Sequence, residues 1–461
     1  MNKNKIKYQF SLKSEEELNN LTHEALLKYV KDLQNNSVQE KPPKNSNNSS
    51  ISPSSEIAPP KNKKNQSLRE KSDKSVGGQK GRKGVTLTRS DTPDEIVALE
   101  FQLDNCQKCD FDLSATVEKL KERRQILDIE LSSIASKIIE YQSYSKICPE
   151  CGYENHDNSG FNISPNISYG PTIIAMVSYL SVSQYMSKRR VVELMKNLFN
   201  ITISEGSITG LLAKASKLSQ NEIDKITTYL ENASIVGIDE TGCKVDGSKH
   251  WHWTFQNENN TLIVAHKSRG RKVITETFEN GFKNACVVHD NYSSYSSLEA
   301  KSEQLCLAHK MRDLNYAIEC DNSKLAKDIK ALLKEAIKDH KEPFTSIQRI
   351  NLKEEYDKSL EYLLSTPTIE KSETHKQVKS FTKAKDKIFT FLLDENIPPD
   401  NNGSERAIRN IKVKQKVSGQ FKSLDGAINY SNIRSIIDTA RKRAFNEFNA
   451  LVSIFRGNSL F

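Results

Sequence analysis

The sequence predicts a multidomain α/β protein: a sheet-forming centre with helices before, within and after it, preceded by a small cysteine-bearing module. Three observations carry this. The chain has 461 residues, more than one hydrophobic core usually serves. Between residues 234 and 290 the pattern switches to alternating β-branched and aromatic segments, while the flanking stretches space their apolar residues as helices do. Apolar residues make up 36% of the chain, below the usual globular share, and an Asn-, Ser-, Pro- and Lys-rich stretch accounts for part of the shortfall.

Residues 1–35 are expected to form an N-terminal helix used in assembly. Leu26, Val30 and Leu33 fall at helical spacing behind Thr22, a suitable N-cap. One short amphipathic helix does not hold itself together in water, so its partner is a second copy or another protein. Residues 36–90, which include KPPKNSNNSSISPSSEIAPPKNKKNQ, are too poor in large apolar side chains to offset ordering entropy, and read as a disordered basic tether. Its part from 41 to 90 holds 12 Lys plus Arg against three acidic residues, a net of +9 that equals the excess of the whole chain. Residues 1–40 sum to zero, 91–400 to −7 and 401–461 to +7. A tether of this kind either solubilises or contacts phosphates without sequence preference. The start, MNKNKIKYQF, lacks an apolar leader core, and no run approaches the roughly 18 apolar residues that span a bilayer. The expected compartment is the cytoplasm, with no membrane contact.

Residues 91–160 are expected to form a zinc-binding module. Cys106-x-x-Cys109 and Cys148-Pro149-x-Cys151-Gly152 have 38 residues between them, and each pair can present two thiolates to one side of a tetrahedral zinc. Such a closed structural site competes with two other readings, free thiols and an unpaired redox C-x-x-C. Residues 161–230 read as helical. KRRVVELMKNLFNITISEGSITGLLAKASKL has the outline of helix, short turn and a second helix from about Ser204, which fits a helix-turn-helix and fits a structural helical pair equally well.

The segments SIVGIDE, HWHWTFQ and TLIVAHK suggest an antiparallel meander, and ACVVHD a further strand. The first and last of these four end near Asp239 and Asp290. As neighbouring strands they would bring both carboxylates to one sheet edge, close enough to share a hard divalent cation. Alone, an Asp at a strand end is more often a helix cap or a turn residue. A third carboxylate is expected on a later helix, and NNGSERAIRNIKVKQK offers Glu405, with Asp394, Glu395 and Asp400 as rivals. Glu405, Arg409, Lys412 and Lys416 form one polar stripe, while Ile408 and Ile411 face elsewhere. The stripe is either a solvated face or a metal-binding Glu at the head of a basic rail that tracks a phosphate backbone.

Taken together, these segments resemble the transposases of the bacterial insertion-sequence sixty-six family. The resemblance runs over most of the chain: GGQKGRKGVTL (77–87), TPDE (92–95), CPECG, YGPTIIAMVSYLSVSQYMSKRRVVELMKNLFNITISEGSI, IDETG (238–242), HDNYSSY (289–295), CLAHKMRDL (306–314), NNGSERAIR (401–409) and DGAINYSNIRSIIDTARKR (425–443) occur in one order. It implies an RNase-H-like catalytic core over 231–420, a mixed sheet with helices, carrying a helical insertion at about 321–390 before a C-terminal helical segment over 421–461. It further implies an Asp-Asp-Glu triad of Asp239, Asp290 and Glu405 that uses two Mg²⁺ or Mn²⁺ ions to cleave and join DNA strands. Arg406 and Arg409, with Lys412 and Lys416 beyond them, are the expected DNA contacts. Expected partners are double-stranded DNA at the transposon ends and the target, further copies in a synaptic complex on the nucleoid, and small accessory proteins of the same element. Cys306 and His309 occupy the family's C-x-x-H motif and are read as packing beside the metal site, while Cys243, Cys286 and Cys320 are read as structural. The sequence departs from the family at CQKCDFDL, which lacks the Pro and Gly of the second knuckle, and at His289, where a small or apolar residue is usual. Two rival readings are a non-catalytic DNA-binding derivative of a transposase and a nuclease acting on RNA:DNA hybrids.

Overall fold

A computed structural model describes residues 168–461 except 293, 294, 296 and 297, and before residue 168 only short stretches, chiefly 21–39 and 41–45. Among the latter, β1 (Ile6–Tyr8) and β2 (Ser37–Gln39) pair antiparallel, and α1 (His23–Asn36) lies between them in sequence. Ala25 N donates to Thr22 Oγ1 (3.4 Å), the N-cap read from the sequence. β3 (Ser145–Ile147) pairs with β4 (Glu154–His156).

Within the span of the expected tether, residues 41–45, 48 and 49 are described, and some of them meet the helical insertion. Lys41 Nζ meets Glu373 (2.5 Å), and Asn48 is 1% exposed while its Nδ2 donates to Glu319 (2.7 Å). Low apolar content rules out a core of its own, but it does not stop polar side chains from docking on a surface that offers buried partners. Residues 51–90 lie outside the described residues.

From Pro171 the chain is helical, as expected. α2 (Pro171–Ser178) runs into a π-helical turn (Tyr179–Ser183), and then α3 (Lys188–Phe199) starts on a Ser187 cap and stops at Asn200, whose φ of 51° is left-handed. α4 (Glu205–Leu218) begins where Ser204 accepts the Ser207 amide, and α5 (Gln220–Glu231) leads into the sheet. The outline of helix, short turn and helix is therefore present at the expected residues.

The sheet contains β5 (Ile235–Val245), β6 (Ser248–Gln256), β7 (Thr261–His266), β8 (Phe282–His289) and β9 (Ala300–Leu305), in the order β7-β6-β5-β8-β9. β5, β6 and β7 form the antiparallel meander, and Asp246 and Gly247 turn the first hairpin with φ of 46° and 73°, as a two-residue primed turn requires. β8 runs parallel to β5 after the short crossover helix α6 (Lys272–Thr277), and β9 runs parallel to β8. The sequence pattern does not announce β9. Its residues AKSEQL are mostly polar, and only Gln304 and Leu305 are buried.

After β9 come α7 (Leu307–Asp321), α8 (Lys324–Asp339), α9 (Ser346–Leu364) and α10 (Glu373–Lys383), the expected helical insertion, and then α11 (Asn402–Ser418), α12 (Leu424–Lys442) and α13 (Glu447–Phe455). Two hydrophobic clusters hold this together. One joins α2–α5, the sheet and α11–α13; the other joins Cys286, Val288 and Leu305 of β8 and β9 to the insertion. The helices of 161–230 and of 421–461 therefore share the core of the sheet and are not separate units. α12 also covers the edge strand: Ser435 Oγ accepts the Ile263 amide (2.8 Å) and Thr439 Oγ1 the Thr261 amide (3.1 Å), so β7 offers those two groups to no other chain.

Candidate active site

The two aspartates meet because of strand register. β5 and β8 pair Ile235 with Cys286, Val236 with Val287 and Gly237 with Val288, a constant offset of 51, and the same offset carries Asp239 to Asp290. Asp239 Oδ1 accepts the Glu240 amide (2.9 Å) and Asp290 Oδ1 the Tyr292 amide (3.1 Å), which fixes both carboxylates. Burial pushes the Asp239 carboxyl well above the usual carboxylate range, and the charges of Asp290, Glu240 and Glu405 push it further. Asp290 is raised too, chiefly by burial, against the opposing pull of the Tyr292 amide, His289 and Arg269.

Glu405 arrives from the first turn of α11, which is seated on β5 by a polar latch. Asn401 Nδ2 donates to the Ile238 carbonyl (2.6 Å), Ser404 Oγ donates to Asn401 Oδ1 (2.7 Å), and the Asn401 amide donates to Cys306 Sγ (3.2 Å). This close approach explains Gly237. A Cβ there would crowd the Gln256 amide and lie 2.8 Å from Ser404 Oγ and 2.9 Å from Asn401 Oδ1, so a larger residue would force the latch side chains to move. Arg312 Nη2 stands 3.3 Å from Glu405 Oε1.

The rival acids are engaged locally. Asp400 accepts both the backbone and side-chain amides of Asn402, Asp394 accepts those of Asn396, and Glu395 faces Arg349 at 3.7 Å. Of the expected basic rail, Arg406, Arg409 and Lys416 are exposed. Lys412 is turned inward: half-buried, it donates to the Gly242 carbonyl of β5 (3.3 Å), alongside Gln415 (3.1 Å), and burial lowers its pKa.

The structure adds residues that sequence reasoning alone misses. Glu240, nearly buried, accepts from Arg269 Nη2 (2.7 Å) and from the Tyr295 hydroxyl. Arg269 lies over the rings of Tyr292 (3.7 Å) and Trp251 (4.6 Å), so a cation is clamped beside Asp290. A Glu at an inward position of a strand was the available signal. Cys306, His309 and Glu405 form a second grouping, their ligand atoms all within 4.8 Å of one another. Burial pushes the Cys306 thiol up to about 12 and His309 down to about 3, and His309 Nδ1 lacks a hydrogen-bond partner. By contrast Cys286 and His289 project from opposite faces of β8, as strand alternation demands. Cys286 joins the insertion core, while His289 Nε2 meets Glu303 at 2.9 Å. Of the expected zinc ligands, Cys109 and Cys151 are exposed and free of disulfides, and Cys106 and Cys148 lie outside the described residues.

A family model described as "Transposase IS66 family" matches residues 166–429. The chain belongs to the IS66 transposase family. Among curated proteins none matches it. The span matched to the IS66 family runs from just before α2 into α12, and it contains Asp239, Asp290 and Glu405 as well as Cys306 and His309. The cysteine knuckles precede it. Membership places the chain among DNA-processing enzymes, and the mixed sheet with its helices fits an RNase-H-like core. Among the described residues no helix is long and apolar enough to cross a membrane.

Proposed function

We propose that the chain is the transposase of an insertion sequence, which cleaves DNA at terminal inverted repeats and joins the freed 3′ ends to a target by metal-dependent phosphoryl transfer at Asp239, Asp290 and Glu405. The observation that carries this is the convergence of three carboxylates from β5, the end of β8 and α11 on one sheet edge, where Asp290 and Glu405 both raise Asp239. Carboxylates held together against their mutual repulsion, all offering oxygen, suit a hard divalent cation such as Mg²⁺ or Mn²⁺. Asp239 and Asp290 would hold one ion and Glu405 would help hold a second. When bound, such ions supply Lewis-acid activation of the attacking oxygen and neutralise charge at the phosphate.

The remaining work belongs to the chain. Arg312 keeps Glu405 oriented, the Asn401 and Ser404 latch fixes the height of α11 above β5, and Arg406 and Arg409 meet the phosphates that flank the scissile bond. A zinc ion held by Cys106, Cys109, Cys148 and Cys151 would brace the module that, with the helices after it, binds the end sequence. α1 would serve assembly of a multimeric complex with target DNA and the accessory proteins of the element.

The test is cleavage of a duplex that carries one element end. Asp239→Asn, Asp290→Asn and Glu405→Gln should each lower cleavage by on the order of 10³-fold or more while binding to that duplex persists. Full cleavage by any one of them would remove that residue from the site.

A further inference from the structure

Beside the catalytic edge lies a cleft of about 450 Å³ that the proposed chemistry does not use. Asn291 and Tyr292, directly after Asp290, form one wall, and Lys376, Lys379, Lys383 and Lys387 line the other. The first three lysines are exposed on α10, and Lys387 lies in the next turn. The spacing of three and four residues puts Lys376, Lys379 and Lys383 on one face of α10, and Lys387 follows in a 3₁₀ turn, so that the row spans roughly 16 Å.

The acids nearby engage two of these four lysines, Lys376 and Lys387, and leave Lys379 and Lys383 without an ion pair among the described residues. Glu303 also lines the cleft, but it already meets Lys387 (2.6 Å) and His289 (2.9 Å). Glu373 is shared between Lys376 (2.8 Å) and Lys41 of the N-terminal segment (2.5 Å). Among the described residues neither Lys379 nor Lys383 is paired with a carboxylate. Behind the lysine wall stands a further cation: Lys310 is 3% exposed and its Nζ donates to Ser380 Oγ, which faces the cleft (2.8 Å). A solvated helix face would not need an opposite wall formed by the residues on either side of Asp290, nor a buried ammonium behind it.

We propose that this cleft is a phosphate track, in which Lys376, Lys379, Lys383 and Lys387 hold the backbone of a DNA strand as it leaves the Asp290 side of the active site. The helical insertion is then a DNA-binding arm. The track is long enough for about four or five nucleotides of one strand. It rests on the transposase reading for its substrate and on the cleft geometry for its path.

The experiment measures binding of the full chain to an end-containing duplex over a range of salt concentrations. Each phosphate contact contributes about 0.9 to the slope of log affinity against log salt, so Lys379→Ala with Lys383→Ala should flatten the slope by about 2 and weaken binding about tenfold between low and moderate salt. A control pair on the same insertion, Lys334→Ala with Lys338→Ala, removes equal charge away from the cleft and should leave the slope unchanged. An unchanged slope in the cleft variant, or an equal change in the control, would overturn the track. Thermal unfolding identifies a variant that fails to fold, in which case Lys379→Gln alone, expected to flatten the slope by about 1, decides the question. Cleavage separates the two readings: loss of the slope difference with metal-dependent cleavage intact refutes the track alone, whereas a slope difference with no dependence of cleavage on Asp239 refutes the catalytic assignment alone.

Discussion

Charge is handled in opposite ways at two places in this molecule. Within α12, Arg434 is 1% exposed and Asp438 7%, and they close on each other in a two-pronged pair, Nη2 to Oδ1 at 2.6 Å and Nε to Oδ2 at 3.1 Å. The remaining guanidinium nitrogen reaches the Val182 carbonyl (3.5 Å) and the Tyr185 hydroxyl (3.4 Å), which ties α12 to the π-helical turn. At the sheet edge, Asp239 and Asp290 are half-buried without an ion pair among the described residues, and the charge of Asp290 favours the protonated form of Asp239. A charge that is closed locally can only hold structure. Carboxylates left open against their own repulsion suit the divalent cation that the proposed function assigns to them.

Breaking the closed pair should have the largest effect on stability. Arg434→Met leaves Asp438 buried with only Arg441 at 3.7 Å, and should cost about 3–5 kcal/mol. Removing both charges with Arg434→Met and Asp438→Leu should recover most of that loss. Denaturant unfolding checks both, and a cost below about 1 kcal/mol for the single variant would mean that the pair is not the closed unit described. A smaller effect is expected at His252, a buried polar group with neither charge nor partner. It is 0% exposed, neither ring nitrogen is hydrogen-bonded, and it packs against Phe421 (5.3 Å between centroids). Burial lowers its pKa from 6.5 to about 3, helped by the charge of Lys412. The unfolded chain therefore takes up this proton first, so the stability linked to neutral His252 is complete above pH 6.5 and falls toward pH 3 by about 1.4 kcal/mol per unit. His252→Phe should flatten the acid limb of a stability profile between those values, and an unchanged limb would contradict the burial assigned to the ring.

How far the sequence could be read divides in the same way, between local pattern and distant contact. The meander and a second helix from about Ser204 were legible because alternation, turn residues and helical spacing are local signals, whereas the pairing of Asp239 with Asp290 held only if their strands were neighbours. On pattern alone Glu405 was one of four acids, and the family resemblance singled it out. Its placement depends on Asn401 and Ser404 meeting Gly237, which lies far from them in sequence and reaches them only when α11 sits on β5. β9 was hidden because polar residues fill it. The docking of residues 41–49 was hidden because its partners, Glu319 and Glu373, lie in the insertion. The inward turn of Lys412 could not be foreseen either, since a stripe drawn on an isolated helix cannot show which member finds a carbonyl across the interface.

The smallest expected effect has the opposite sign from the first, and it tests the open half of the contrast directly. Asp239 has a carboxyl raised above its unfolded value of 3.8, so without a divalent cation the folded chain binds a proton more readily than the unfolded one, and stability is lost as pH rises through and above 3.8. Asp239→Asn removes that repulsion while nearly keeping the shape. At neutral pH without divalent cation it should therefore stabilise the fold by roughly 1 kcal/mol, seen as a higher unfolding midpoint. Added Mg²⁺ or Mn²⁺ should raise the midpoint of the unsubstituted chain and do so much less in the variant, because the ion gains its hold from the same carboxylate. A destabilised Asp239→Asn, or equal gains with the ion present, would place Asp239 with Asp438 among charges that hold structure and would take it out of the catalytic edge.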